Sequence, residues 1–424
     1  MTAISDTPKT KKSVAIINGL LNPIPPIKGG GPQIVIYNTA LALKDVPFDW
    51  FVLSDWDPLL EQISYDRNKY IAVKTRWIDR AIVTLIHLLP ERWIKSFFGV
   101  VRKDHLLHNI KIIRSLFARK VDLFVIHESY SLTYLCHLIY PRKKIVHYCH
   151  TSKMHLDLTE KRWNRLLRSA TGGIISICEN SFALTDSQFK SKPEHRWVIQ
   201  NGVSLHENLQ ISNLDKNIVR QRLGIPLDDF VFLCVTRIHL GKGLDLLIKA
   251  FAEVANKSSR SCRLEIVGSA AKDEDGDLSY EIRLKERANQ LADTKIHFTG
   301  FIPNHQLQDY YIASDFGVLP TNLMEGNSLF LMESLTMGLP VIATRIGGIP
   351  EVVREGRDGI LIDKNDLERD LSIKMLQVIE DQQYWVQKEA EIQRAARKRF
   401  NYQRVASQFC QVVKEVTEPK LISS

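Results

Sequence analysis

The sequence predicts an α/β protein built from two doubly wound, parallel-sheet domains. Three observations carry that expectation. The chain has 424 residues, more than a single compact core usually spans. In its second half, short apolar runs alternate strictly with stretches of helical periodicity, the pattern of a wound parallel sheet. The first half opens in the same way, with an apolar run, a glycine-rich turn and a helix.

Residues 14–17 read as the first strand, and Gly29-Gly30-Gly31-Pro32 opens a helix running to Leu43. Further strands are expected at residues 50–53, 121–126, 144–148 and 173–177. A polar stretch at 201–229, around a short helix at 217–223, reads as the junction. The second series starts with the apolar run Phe230-Val-Phe-Leu-Cys-Val-Thr236, as a strand buried on both faces requires. A Gly241-Lys242-Gly243 turn and a helix at 244–255 follow. Strands at 262–267, 295–299, 316–319 and 340–343 then alternate with helices at 280–291, 304–313 and 329–337. One long helix is expected over about 384–416. The domains are accordingly placed at 1–205 and 206–400, with 401–424 packing back toward the first.

With 44% apolar and 25% charged residues, global disorder, a collagen-like repeat and a disulfide scaffold are all excluded. The six cysteines, at 136, 149, 178, 234, 262 and 410, show no Cys-x-x-Cys spacing, which argues against a zinc ribbon or a thioredoxin-type pair and fits a reducing cytoplasm. Residues 1–12 are polar, so no secretion signal is expected. The most apolar stretch, 81–90, holds Thr84 and His87 and falls short of the ~18–20 apolar residues of a membrane span. The net charge of +9 is uneven: residues 1–200 hold 29 Lys+Arg against 17 Asp+Glu, leaving 28 against 31 in the remainder. The first half, at +12, is therefore expected to meet an anionic partner.

Four places carry candidate chemistry. In Glu325-Gly-Asn-Ser-Leu-Phe-Leu-Met-Glu333, two carboxylates flank a loop-to-helix transition, ~12 Å apart if every step were helical. The amides of Asn327, Ser328 and Leu329 would sit at a helix N-terminus, which suits a phosphate. A diphosphate in the middle with a carboxylate toward each flanking sugar is the layout of a sugar nucleotide. In Thr236-Arg237-Ile-His-Leu-Gly241-Lys242-Gly243, Arg237 and Lys242 can neutralise a diphosphate while Gly243 lets backbone approach closely. The spacing is not that of a Walker A loop. Lys28-Gly29-Gly30-Gly31-Pro32 turns backbone amides toward a ligand but lacks the Gly-x-Gly-x-x-Gly dinucleotide fingerprint. His127-Glu128 and His150 follow predicted strands and would lie at their carboxyl ends, where wound sheets bind ligands. No His-Glu-x-x-His spacing appears, and no metal site is expected.

At these four places together the chain resembles the family-4 retaining glycosyltransferases of the GT-B fold, most closely from Phe230 to Val353. Glu325 and Glu333 match that family's Glu-x7-Glu motif, and Arg237 and Lys242 its diphosphate-binding pair. Thr299-Gly300-Phe301-Ile302-Pro303 resembles the loop under the nucleobase; Gly338-Leu-Pro-Val-Ile-Ala-Thr344 and Gly347-Gly348-Ile-Pro-Glu351 resemble its framing segments. Gly30 and Gly31 match the N-terminal glycine loop, and His127-Glu128 and His150-Thr151 the acceptor-side positions. Gly326-Asn327-Ser328 departs from the family's frequent Pro-Phe-Gly, with Ser328 in place of a glycine.

The resemblance implies two Rossmann-like domains facing across a cleft, the first holding the acceptor and the second the nucleotide sugar. It implies transfer of a hexosyl group, with retention, from a nucleoside diphosphate sugar, UDP-sugar favoured, to an acceptor hydroxyl. Arg237 and Lys242 would stabilise charge on the leaving diphosphate; Glu325 would accept hydrogen bonds from the donor sugar, Glu333 from the ribose, and His127 would hold sugar or acceptor hydroxyls. Ile302, Ser328 and Leu329 would complete the nucleotide site. No cofactor or metal is implied, because Arg, Lys and helix amides take that place. The acceptor is expected to be a saccharide or a lipid-linked species in polysaccharide or glycolipid synthesis.

Residues 77–120 match no part of that pattern. They carry nine Lys+Arg against three acids, interleaved with Trp77, Trp93 and aliphatic residues at spacings of three and four. An amphipathic helix or a helical hairpin packed on the first domain is expected, and in either case a basic face including Arg102, Lys103, Lys111 and Arg114 would meet an anionic membrane surface. Two other readings stand beside the transferase. A sugar-nucleotide epimerase of similar fold would explain the nucleotide site but not the basic first half. A nucleic-acid-binding protein would explain the charge, yet no recognition motif supports it, and no nucleic-acid partner is expected.

Overall fold

The computed structural model describes residues 11–27, 30–98, 102–151, 158–204, 216–270, 277–291 and 295–418. The chain forms two compact units, residues 1–202 with 402–424, and residues 203–401.

Unit 1 is built on seven strands among its described residues: β1 (Lys12–Asn18), β2 (Phe48–Asp55), β3 (Tyr70–Val73), β4 (Leu123–His127), β5 (Lys144–Cys149), β6 (Gly173–Ser176) and β7 (Arg196–Val198). They lie in the order β3-β2-β1-β4-β5-β6-β7, and every pairing is parallel. Unit 2 has β8 (Phe230–Val235), β9 (Cys262–Val267), β10 (Lys295–Gly300), β11 (Phe316–Leu319), β12 (Val341–Arg345) and β13 (Gly359–Asp363). Their order is β10-β9-β8-β11-β12-β13, again wholly parallel.

The strands are central because they are apolar on both faces. In β4 all five residues are buried, and in β8 the first five of six. Parallel neighbours need crossover helices, and those helices cover both faces of each sheet. The helix Leu244–Lys257 buries Leu247, Ile248, Phe251 and Val254 in the same cluster as Phe232 and Leu264 of the sheet. In each unit the strand order reverses once, between β1 and β4 and between β8 and β11. Loops leaving those two strands diverge, which opens a crevice at their carboxyl ends.

Some expectations shift. The strands β3, β7 and β13 are short and were not expected from the apolar runs. The long C-terminal helix is two helices, Gln382–Arg399 and Tyr402–Thr417. The break falls where the Asn401 side chain donates to the carbonyls of Arg397 and Lys398, at 3.0 and 3.1 Å, competing with continuation of the helix. The second of these helices belongs to unit 1, where Val405, Phe409, Val412 and Val413 are buried.

Residues 77–120 form three helices rather than one amphipathic helix or a two-helix hairpin: Trp77–Ile86, Glu91–Phe98 and Lys103–Leu116. The first ends at Ile86, and Pro90 starts the second, its carbonyl accepting from the Trp93 and Ile94 amides at 2.8 and 3.2 Å. The expected basic face is corrected as well. Lys111 is buried in an ion pair with Asp55 at 2.9 Å, and Arg114 grips the buried Asp79 at 2.7 and 3.0 Å. Only Arg102 and Lys103 of the four are exposed.

Candidate functional site

In unit 2 the loops leaving β8 and β11 meet at the point of strand reversal. Gly243 ends the first loop in a left-handed conformation, φ 71°, and starts the helix Leu244–Lys257. A Cβ there would lie 1.9 Å from the Pro320 carbonyl oxygen, so only glycine allows the two backbones to touch. The Asn322 amide donates to Gly241 O at 2.8 Å and ties the loops together. This brings Lys242 against Glu325, 83 positions away, in an ion pair between Nζ and Oε1. Both side chains are largely shielded, at 20% and 18% exposure. Thr321 Oγ1 lies 3.5 Å from the same carboxylate oxygen. The backbone of Glu325 is held from behind: the Gly348 amide donates to its carbonyl at 2.8 Å, and a Cβ on Gly347 would stand 2.2 Å from that oxygen.

Glu325 precedes the helix, which runs Leu329–Thr336, so the all-helical spacing to Glu333 does not apply. Ser328 caps that helix by accepting from the Leu331 amide. Ser328 and Asn327 are buried, and the helix offers its positive end just beyond β11. Glu333 lies on the second turn. Its Oε2 accepts the Tyr311 hydroxyl at 2.6 Å. Burial pushes its carboxyl up to about 7, against the opposing pull of that bond.

Arg237 is exposed two residues past β8. Ile302 packs on the unit 2 core two residues past β10. The ends of β9 and β10 are joined by the Gly268 amide donating to Gly300 O at 2.9 Å, while a Cβ on Gly268 would lie 2.0 Å from Thr236 O. The segments that follow β8, β10 and β11 thus carry Arg237, Lys242, Ile302, Glu325, Ser328, Leu329 and Glu333 in one unit.

In unit 1 the corresponding reversal holds His127. The Gly19 amide donates to His127 O at 2.9 Å, and a Cβ on Gly19 would lie 2.2 Å from that oxygen. The rings of His127, Tyr148 and His150 stack with centroids 4.6–5.0 Å apart. His127 Nδ1 and His150 Nε2 share a hydrogen bond at 2.7 Å. Burial drives His127 well below its ordinary value and His150 down to about 3, so the pair is neutral at physiological pH. His127 Nε2 is buried without a hydrogen-bond partner among the described residues. Glu128 adopts φ 62°, and its carboxylate accepts the His150 amide. Burial lifts it to about 7 even though the amides of His150 and Thr151 favour its charge. Gly30, φ 106°, precedes the helix Gly31–Ala42; Lys28 and Gly29 lie outside the described residues.

Several contributors escaped the sequence reading. Thr321 and Tyr311 position the two glutamates, and His108 anchors the end of β1, its Nε2 donating to Asn18 O (3.0 Å) while its Nδ1 lies 2.5 Å from Asp55 Oδ1. Thr321 stands two residues past β11, where the strand order already points. Tyr311 follows Leu307 by one helical turn on the buried face of its helix.

Residues 215–399 match the family Glycosyl transferases group 1. The matched residues lie within unit 2. The chain is 35% identical over 184 residues to D-inositol 3-phosphate glycosyltransferase of Acidothermus cellulolyticus, covering 42% of this chain and 39% of the relative. It is 26% identical over 223 residues to mannosylfructose-phosphate synthase of Agrobacterium fabrum, covering 52% and 48%. The matched part thus spans about half or less of these relatives. Among solved structures, sucrose-phosphate synthase from Thermosynechococcus elongatus superposes with TM-score 0.73 at 18% identity, over 96% of this chain and 99% of that one. Anabaena HepE in complex with UDP and glucose gives 0.70 at 19%, over 95% and 99%. At such identities the likeness is one of fold: two α/β units with parallel sheets, the GT-B fold.

Proposed function

We propose that the protein is a retaining glycosyltransferase that moves a hexosyl group from a nucleoside diphosphate sugar, a UDP-sugar by preference, to an acceptor hydroxyl. The Lys242–Glu325 pair beside a serine-capped helix N-terminus carries this reading. It supplies a cation, a carboxylate and helix amides on neighbouring loops of unit 2, the groups this reading needs. The group 1 domain and the UDP-glucose complex of the fold neighbour HepE support it.

In this reading the donor diphosphate lies at the amides of Ser328 and Leu329, with Arg237 and Lys242 stabilising the charge that grows as the glycosidic bond breaks. Lys242 also compensates Glu325, which accepts hydrogen bonds from the sugar hydroxyls. Glu333 takes the ribose hydroxyls and Ile302 lies under the base. Gly30 and Gly31 supply backbone amides, and the neutral His127 binds a sugar or acceptor hydroxyl through Nε2. The departing phosphate takes the acceptor proton, and no metal is needed. The acceptor is a saccharide or lipid-linked species of polysaccharide or glycolipid synthesis. The enzyme works in the cytoplasm, at the inner face of an anionic membrane.

The test is a thermal-shift screen against UDP-, GDP- and ADP-sugars, followed by product analysis with and without acceptor. A UDP-sugar should raise the melting temperature, and anomeric configuration should be kept in the product. Conversion of the donor alone to an epimer, or indifference to all three donors, would refute the proposal.

A further inference from the structure

The helix Trp77–Ile86 in unit 1 wears its apolar face on the outside. Its inner face is polar as well as apolar: Asp79 and Val83 are buried, and Asp79 is clasped by Arg114 of the helix Lys103–Leu116. At about 100° per residue, Trp77, Ala81 and Leu85 lie on the opposite side, beside a stripe formed by Ile78 and Ile82. Trp77 is 80% exposed and Leu85 64%. The turn that follows adds Leu88 at 76%, and the next helix adds Trp93 at 58% while burying Ile94. Monomeric soluble proteins seldom leave so many adjacent large apolar side chains in water.

The rim of this face is cationic. Arg76, Arg80, Arg92 and Lys95 are exposed around it, with Glu91 the exposed acid of residues 76–95, because Asp79 is buried against Arg114. Apolar and indole side chains ringed by cations suit the boundary of an anionic lipid layer, where the rings sit at headgroup depth and the cations meet phosphates. A second copy of the chain fits less well, since a two-fold pairing would set like charges against each other.

We infer that the helix Trp77–Ile86, the turn through Leu89 and the start of the helix Glu91–Phe98 form an interfacial anchor for an anionic phospholipid surface. This deepens the membrane part of the proposed function and rests on it. The anchor differs from the basic face expected from sequence, because insertion of apolar side chains carries the binding and charge assists it.

The experiment is flotation of the full chain with phosphatidylglycerol–phosphatidylcholine vesicles at low and high salt. The chain should float at low salt and less so as salt screens its rim. A Trp77→Ser, Leu85→Ser, Leu88→Ser variant should lose binding, by roughly tenfold for each side chain, with its melting temperature unchanged because all three are exposed. Arg76→Gln, Arg80→Gln, Arg92→Gln should weaken binding and flatten its salt dependence. Turnover of the serine variant on a soluble acceptor should match that of the parent chain. If the parent floats and the serine variant floats equally well, this face is wrong while membrane association stands. If the parent never floats, both fail and the transferase assignment is untouched. A parent dimer that the serine variant dissolves, without flotation, would give the face to a second copy and overturn the inference.

Discussion

Lys242 is already bonded to Glu325, so in the proposed reading removing it strips charge from the diphosphate site and also frees the carboxylate. Lys242→Ala should lower kcat/KM by ~10–150-fold, the range for a lost charge-assisted hydrogen bond of ~1.5–3 kcal/mol. Lys242→Ala with Glu325→Gln should cost less than the sum of the two single changes, because the residues act as a pair. Steady-state kinetics on all three variants checks this, and simple additivity would show that the pair does not work as a unit. Glu333 provides a pH signature. Its carboxyl stands at about 7 when folded, above the ordinary 4.5. The folded state therefore holds the proton more tightly, and this residue's contribution to stability falls as pH rises from about 4.5 to about 7. In the proposed reading ribose hydroxyls donate to this carboxylate, so a bound nucleotide favours the deprotonated form. UDP should bind about tenfold more tightly at pH 8 than at pH 6 and release protons on binding near pH 6.5. Calorimetry in buffers of different ionisation enthalpy measures that release, which Glu333→Gln should abolish.

The two glycines that let loops approach each other separate stability from activity. Gly243→Ala would place a methyl 1.9 Å from Pro320 O at a positive φ, so it should destabilise unit 2 by more than about 1 kcal/mol, read from urea unfolding. Gly347→Ala presses on the Glu325 carbonyl and should chiefly lower kcat by moving that carboxylate; unchanged kcat would detach Gly347 from the site. The alternation of elements was legible because buried parallel strands are continuous apolar runs, as in β4 and β8. The strands β3, β7 and β13 were not, since β3 and β7 are only part-buried and mix polar with apolar residues or alternate little, and β13 has an apolar run of just Ile360-Leu361-Ile362 between Gly359 and Asp363. Lys242, Glu325 and Glu333 were legible as motif residues. Their local partners were not: Thr321 and Tyr311 are chosen by loop closure and helix packing, which no spacing rule encodes. The same holds for residues 77–120, where periodicity signalled amphipathic helices but not which face turns outward.

At the scale of the whole chain, the last described helix belongs to the unit that contains β1. Tyr402–Thr417 buries Val405, Phe409, Val412 and Val413 within unit 1, and its Tyr402 ring lies where a Cβ on Gly202 would sit. A chain truncated after Asn401 should therefore leave unit 2 folded and unit 1 weakened by several kcal/mol, at ~1.5–3 kcal/mol for each large apolar side chain lost. Hydrogen exchange should then show faster exchange in β4, β5 and β6, with β8 and β11 still protected. Equal deprotection in both units would contradict this division.

That helix also sets the order of events on the ribosome. Domains usually complete themselves in the order in which they are made, but here unit 1 is assembled from both ends of the chain. Unit 2 has all of its strands once β13 has been synthesised, whereas the sheet that begins at Lys12 must wait for the final helix to cover it. The part made first is thus the last to be finished. Throughout elongation its incomplete apolar surface is what a nascent-chain chaperone would meet.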